Sequence, residues 1–116
     1  TILDFTKEEI DSLNYEFPLW ESYELSPGTY PTQKETINTV ASPNILIVRE
    51  GVPETIVYEM TKMLWDNLAT LQEIHSATNS MSVESALSGV SVPLHLGALR
   101  YYEEQGITIP AHLRAE

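Results

Sequence analysis

The spacing of apolar positions changes along this chain, and each change predicts a different element. Thr1–Phe5 is short, apolar and β-compatible. Thr6 and Glu9 have the spacing of a capping box, with Phe5 and Ile10 at the positions of a hydrophobic staple. That predicts a short helix over Lys7–Asn14 with Ile10 and Leu13 facing inward. Tyr15–Glu24 mixes aromatics and acids around Pro18 and reads as an irregular connection ending in a brief strand. Thr39–Ala41 and Asn44–Arg49 straddle Pro43 and read as strands. The run Ile45-Leu46-Ile47-Val48 is continuously apolar, as in a strand covered on both faces. Gly51 and Pro53 close it, Pro53 suiting the first position of a helix.

From Glu54 to His75 the period lengthens to that of a helix. Ile56, Met60, Met63 or Leu64, Leu68 or Asn67, Leu71 and Ile74 recur at three- and four-residue steps, predicting one long helix with a single apolar stripe. Ser82 can cap a short helix to Ser88, stopped by Gly89. Leu94–Gln105 forms a third helical segment ending at Gly106. Ile107–Ile109 is extended, and the tail from Pro110 has little to anchor it.

Between the first brief strand and Thr39 lies Leu25-Ser26-Pro27-Gly28-Thr29-Tyr30-Pro31-Thr32-Gln33. Pro27 presets its own φ and Gly28 tolerates a positive φ, so Ser26–Thr29 suits a type II turn. Pro31 restricts Tyr30 to extended geometry and removes a backbone donor. A tyrosine held between a Pro-Gly turn and a second proline is rigidly aimed, which makes Tyr30 a candidate for lining a ligand cleft.

Composition narrows the function. The 116 residues are enough for one domain, and 42% of them are hydrophobic, which excludes general disorder. Six Lys and Arg face 17 Asp and Glu, a formal charge of −11. Binding to nucleic acid or anionic lipid demands clustered cations, so the charge argues against both. The absence of cysteine excludes disulfides, iron–sulfur clusters and thiol catalysis. No stretch approaches the apolar length of a membrane span.

Candidate chemistry is sparse. His75, His95 and His112 share no metal-ligand spacing, and capping roles suit them better than a metal. Ser85 and Ser88 lack a nucleophile elbow, and the adjacent pairs Glu8-Glu9 and Glu103-Glu104 point apart on a helix. The glycines are scattered and form no phosphate-cradling loop. Trp65 suits helix docking, and Tyr101-Tyr102 suits aromatic packing of the last helix. The expectation is a protein with no catalytic residues, no metal and no cofactor: not an enzyme.

Several segments in order carry a family likeness: Pro27-Gly28-Thr29-Tyr30-Pro31-Thr32-Gln33, the Thr39-Val40 strand, the Ile45–Glu50 strand, Val52-Pro53-Glu54 leading into Val57-Tyr58-Glu59-Met60-Thr61-Lys62, and Pro93-Leu94-His95-Leu96-Gly97-Ala98-Leu99-Arg100-Tyr101-Tyr102-Glu103. Together they resemble the C-terminal part of the TAXI-type solute receptors of TRAP transporters. Thr32 stands where that family commonly has Gly, and Leu96 where it commonly has Pro.

The resemblance implies an α/β fold: the C-terminal fragment of a two-lobed, type II periplasmic-binding-protein-like architecture, with few strands, one long helix and several short ones. Residues 1–24 would end the second lobe, 25–43 would form the crossing or hinge, and 44–116 would return to the first lobe. It implies a periplasmic or extracytoplasmic receptor that passes a small organic acid, such as the amino-dicarboxylate glutamate, to TRAP membrane permease subunits. Tyr30 and Gln33 are then the hinge or cleft candidates for ligand binding. Carboxylate recognition calls for Arg or helix-terminal N–H groups, and Arg49, Arg100 and Arg114 are the arginines here. Most of the ligand-binding groups are expected elsewhere in such a receptor, so this chain should bind solute weakly or not at all. Uncovered apolar surface would drive self-association. The alternative is an independent protein-interaction or dimerisation module that uses the Glu54–His75 helix and Tyr101-Tyr102 as contacts.

Overall fold

The computed structural model describes residues 2–114. The chain divides into two units, Thr1–Asn44 and Ile45–Glu116. The described residues form a mixed α/β structure with four α-helices, two short 3₁₀ helices and one two-stranded sheet.

In the first unit, helix α1 spans Lys7–Glu16, two residues beyond the expected end. Its capping box is present in full: the Thr6 hydroxyl accepts from the Glu9 amide at 3.3 Å, and the Glu9 carboxylate accepts from the Thr6 amide at 2.8 Å. Two of the otherwise unpaired first-turn donors are thereby satisfied. Ile10 is buried and Leu13 half-buried, so the helix turns the anticipated face inward. Strands β1 (Glu21–Leu25) and β2 (Ile37–Ala41) pair antiparallel, with Glu21 opposite Ala41 and Leu25 opposite Ile37. The segment before α1 lies beside β2 without becoming a strand. Phe5 donates its amide to the Asn38 carbonyl at 3.0 Å, but the Asn38 amide goes to the Asp4 side chain at 2.7 Å. A side-chain acceptor has replaced the backbone acceptor that a ladder would need.

The second unit departs from the sequence reading at several places. Ile45–Val48 is not a strand covered on both faces: it has no regular structure, and Leu46 and Ile47 are 74% and 79% exposed. A β ladder needs a neighbour, and none pairs with these residues among those described. The long helix is two helices, α2 (Glu54–Asp66) and α3 (Leu68–Ile74). Asn67 divides them with φ −108° and ψ 18°, and both its side-chain and backbone N–H groups donate to the Met63 carbonyl, at 2.8 and 3.1 Å. Asparagine competes in this way with the helical ladder, an effect that periodicity alone does not register.

The buried side of α2 is also rotated from the expected stripe. Val57 is buried, with Tyr58, Thr61, Leu64 and Trp65 half-buried, whereas Ile56, Met60 and Met63 are exposed. The cause is the partner helix α4 (Leu96–Glu104). A Cβ on Gly97 would lie 2.3 Å from the Glu54 carbonyl oxygen, 2.5 Å from the Tyr58 amide nitrogen and 2.9 Å from the Val57 Cβ. The two backbones therefore meet where only glycine fits, and that contact sets which side of α2 faces α4. Around it, Tyr58, Tyr101, Tyr102 and Trp65 form a chain of edge-to-face contacts with centroids 5.7–6.4 Å apart, the preferred geometry for such rings. The packing roles expected of Trp65 and Tyr101-Tyr102 are those observed.

Residues 83–89 form successive turns rather than a helix, although Ser82 does accept from the Ser85 amide at 3.2 Å. A 3₁₀ helix at Ser76–Ser80 precedes them. Finally, the tail beyond Pro110 is anchored, contrary to expectation. A short 3₁₀ helix, Ala111–Leu113, drives Leu113 to 0% exposure, and the Leu113 carbonyl accepts from the Leu94 amide at 2.8 Å. Ile109, four residues earlier, is buried as well, and Arg114 pairs with Glu103 at 2.8 Å. One aliphatic side chain filling a core position outweighs the local lack of pattern.

Candidate functional site

The residues singled out from sequence, Tyr30 and Gln33, lie in the connection between β1 and β2. Its first half is the expected turn. Gly28 has φ +82°, and Thr29 closes the turn by donating its amide hydrogen bond to the Ser26 carbonyl at 3.2 Å. The Thr29 hydroxyl donates to the same carbonyl at 2.7 Å. A second turn follows directly, the Gln33 amide donating to the Tyr30 carbonyl at 3.0 Å. The two turns are joined because Gly28 donates its amide to the Gln33 carbonyl at 2.9 Å.

Gln33 has a role that the sequence reading did not anticipate. Its side-chain nitrogen donates to the Leu25 carbonyl at 3.0 Å and to the Glu35 carbonyl at 2.9 Å, while its side-chain oxygen accepts from the Tyr30 amide at 3.3 Å. An amide offers two donors and one acceptor oxygen, so its donors are fully used. Gln33 ties the end of β1 to both turns. Tyr30 is 50% exposed, and its hydroxyl has no hydrogen-bond partner among the described residues. The arrangement holds one aromatic ring half-exposed on a loop closed by two hydrogen-bonded turns and by the Gln33 side chain.

The arginines divide sharply. Arg100 lies 4.0 Å above the Tyr58 ring and pairs with Glu54 at 3.0 Å and Glu104 at 3.3 Å. Arg114 is taken by Glu103. Arg49 has no ion pair among the described residues. Two of the three guanidinium groups thus already serve carboxylates of the chain itself. The Tyr58 hydroxyl donates to Glu104 as well. That bond holds the Tyr58 phenol above its ordinary pKa, with desolvation adding to the effect. Desolvation likewise raises Tyr101 and Tyr102.

Two of the three histidines cap helices. His75 caps the 3₁₀ helix through Nδ1, which accepts from the Ala77 amide at 3.1 Å. His95 caps α4, its Nδ1 accepting from the Gly97 amide at 3.2 Å and its Nε2 lying 2.9 Å from the Val52 carbonyl. The acceptor role of Nδ1 assigns the proton to Nε2, so a single ring bridges the start of α4 and the loop before α2. The sequence reading began this helix at Leu94 and so placed His95 inside it; α4 begins at Leu96, and His95 stands at the N-cap, where Ser, Thr, Asp or Asn would usually be sought.

Among the described residues no helix is long and apolar enough to cross a membrane. A model of the NMT1-like family matches residues 1–106, and the chain belongs to that family, whose members are periplasmic solute-binding proteins.

Proposed function

We propose that this chain serves a TRAP-type secondary transport system as part of a TAXI-like solute receptor, capturing a small organic acid such as an amino-dicarboxylate for delivery to membrane permease subunits. The observation that carries the reading is the Gln33-tied double turn, which holds Tyr30 half-exposed in a chain of the NMT1-like family. In this reading Tyr30 touches the solute and Gln33 positions it. Residues 25–43 act as the crossing segment, with 1–24 and 44–116 belonging to opposite lobes. The protein binds and releases its solute without chemical change, outside the cytoplasm.

The self-neutralised arginines support a further part of the reading. With Arg100 and Arg114 held by Glu54, Glu104 and Glu103, Arg49 is the guanidinium group in this chain with capacity for a solute carboxylate. Binding by this chain alone is therefore weak. Two-dimensional NMR during titration with glutamate, then with other small dicarboxylates, tests the proposal. The expected result is fast-exchange shifts over residues 26–35, lost in Tyr30→Ala. Shifts centred on α2 and α4, or no response to any dicarboxylate at millimolar concentration, would remove Tyr30 from the site. Submicromolar glutamate affinity would contradict the view that most binding groups lie elsewhere.

The rival reading, a protein-interaction module built on the helical segment, draws on one observation: Ile56, Met60 and Met63 leave an apolar side of α2 exposed. It gains nothing from Tyr101-Tyr102, because Tyr101 is 5% exposed and Tyr102 is half-buried against Trp65.

A further inference from the structure

The boundary between the two units falls within residues 42–48, and the main chain there is unengaged. None of its amides or carbonyls makes a backbone hydrogen bond among the described residues, and every residue from Asn44 to Glu50 is exposed. This freedom ends on both sides. Ala41 is paired with Glu21 in the sheet. The Arg49 carbonyl accepts from the Val52 amide at 3.1 Å, and Nε2 of His95 lies 3.2 and 2.9 Å from the Glu50 and Val52 carbonyls. Exposed apolar side chains elsewhere sit on engaged backbone, as with Tyr15 in α1, Tyr23 in β1 and Met63 in α2. Phe17 and Tyr30 are exposed outside regular structure, but each precedes a proline.

We infer that this stretch is an endoprotease site, cut first at the Leu46–Ile47 bond by enzymes with an apolar specificity pocket. Such an enzyme takes its substrate as an extended strand, hydrogen-bonding the main chain while pockets receive alternate side chains. Helices and paired strands must open before they can enter the cleft, whereas residues 42–48 are already released. Leu46, 74% exposed, supplies the apolar side chain, and unengaged backbone extends on both sides of the bond. Arg49 is exposed too, but the turn to Val52 and the His95 ring hold the residues after it, so an enzyme directed at cations fits less well. At Phe17 and Tyr30 the following proline locks φ and removes the N–H on the far side of the bond. In the cut, water adds across the Leu46–Ile47 peptide, leaving a carboxylate on Leu46 and an ammonium on Ile47. The products, 1–46 and 47–116, place the Tyr30 loop and the α2–α4 scaffold on different fragments. The inference is independent of the receptor reading, since it needs no solute.

Timed digestion of the whole chain with chymotrypsin and, separately, thermolysin, read by intact mass, tests it. Chymotrypsin should first give 1–46 and 47–116, and thermolysin should cut first within residues 44–48. Each first cut should run roughly tenfold or more faster than cleavage at any other bond. Chymotrypsin prefers aromatic side chains, so a first cut after Leu46 reports the state of the backbone; in the urea-unfolded chain the order should revert to aromatic positions. Ile47→Pro should abolish the cut after Leu46 with an unchanged far-UV circular dichroism spectrum. Leu113→Ala should speed the later cuts within α2 and α4 but leave the first cut unaltered, because no opening precedes it. Digestion of the parent chain decides the matter without either variant. A first cut outside residues 44–48 overturns the inference, as does the same order of cuts in the folded and unfolded chain. So does a first cut that Leu113→Ala accelerates in step with those in α2, or one that Ile47→Pro leaves as fast.

Discussion

The two units are held together by different physics. In Thr1–Asn44, Ile10 is the buried apolar residue among those described. Its order comes from polar groups acting over short sequence distances: Thr6 with Glu9, and Gln33 with Leu25 and Glu35. In Ile45–Glu116, Val57, Tyr101, Ile109 and Leu113 are buried, and the contacts that matter join residues far apart in sequence. Gly97 meets Glu54 and Tyr58, Trp65 meets Tyr102, and Leu94 meets Leu113. Packing can store several kcal/mol in one side chain, whereas an exposed hydrogen bond stores about 1 kcal/mol. The first unit is thus the place for a loop that presents a ring, and the second the place for a scaffold.

That contrast can be broken most severely at Leu113. Leu113→Ala empties a fully buried position and should cost about 2–5 kcal/mol, read as a lowered urea midpoint for Trp65 fluorescence. The exchange rates of the β1–β2 amides should not change; if they do, the units do not differ as described. Gly97→Ala comes next. Its new methyl meets backbone atoms that cannot swing aside, so we expect a loss of about 1–3 kcal/mol and weaker near-ultraviolet signals from the tyrosine–tryptophan chain.

Gln33→Ala sharpens the comparison from the other side. Two half-exposed carbonyls lose their donor, and we expect about 1–2 kcal/mol of local destabilisation. It should be visible as faster amide exchange across residues 25–35, with an unaltered Trp65 transition. Thr6→Ala should cost about 1 kcal/mol, seen as fraying of the first turn of α1 by NMR.

The smallest effect is a pH dependence confined to the second unit. Tyr58 is held above its ordinary value by its bond to Glu104, so folding favours the neutral phenol. Its contribution is fully present below the unfolded tyrosine pKa of about 10 and is lost as pH rises through the higher folded value. Denaturation of the parent chain should therefore become easier between neutral and strongly alkaline pH by more than that of Tyr58→Phe. An equal pH response in both proteins would refute a stabilising role for that hydroxyl.

The parts of the fold legible in the sequence were those fixed by neighbours along the chain. The Thr6–Glu9 capping box, the turn at Gly28 and the helix before Gly106 each depend on residues three or four apart, and the brief strand was read one residue short, to Glu24. The α/β character followed from them. Tyr30 as a rigidly flanked, outward ring was legible because two prolines and a glycine bracket it. Gln33 as the tie behind it was not, because nothing local marks which carbonyls a glutamine will reach. The break at Asn67 was missed because an apolar stripe continues through it, and the anchored tail was missed because Ile109 and Leu113 are a single pair, too short to register as a periodic stripe.

By itself, then, the sequence determined where helices start, where the chain turns and which chemistries are excluded, since caps, φ restrictions and composition act locally. Tertiary structure alone decided which side of α2 is buried, that Ile45–Val48 stands open, and that Leu113 completes a core. Those outcomes depend on where distant backbones can approach each other, and at Gly97 that approach is set by the room a single missing Cβ leaves.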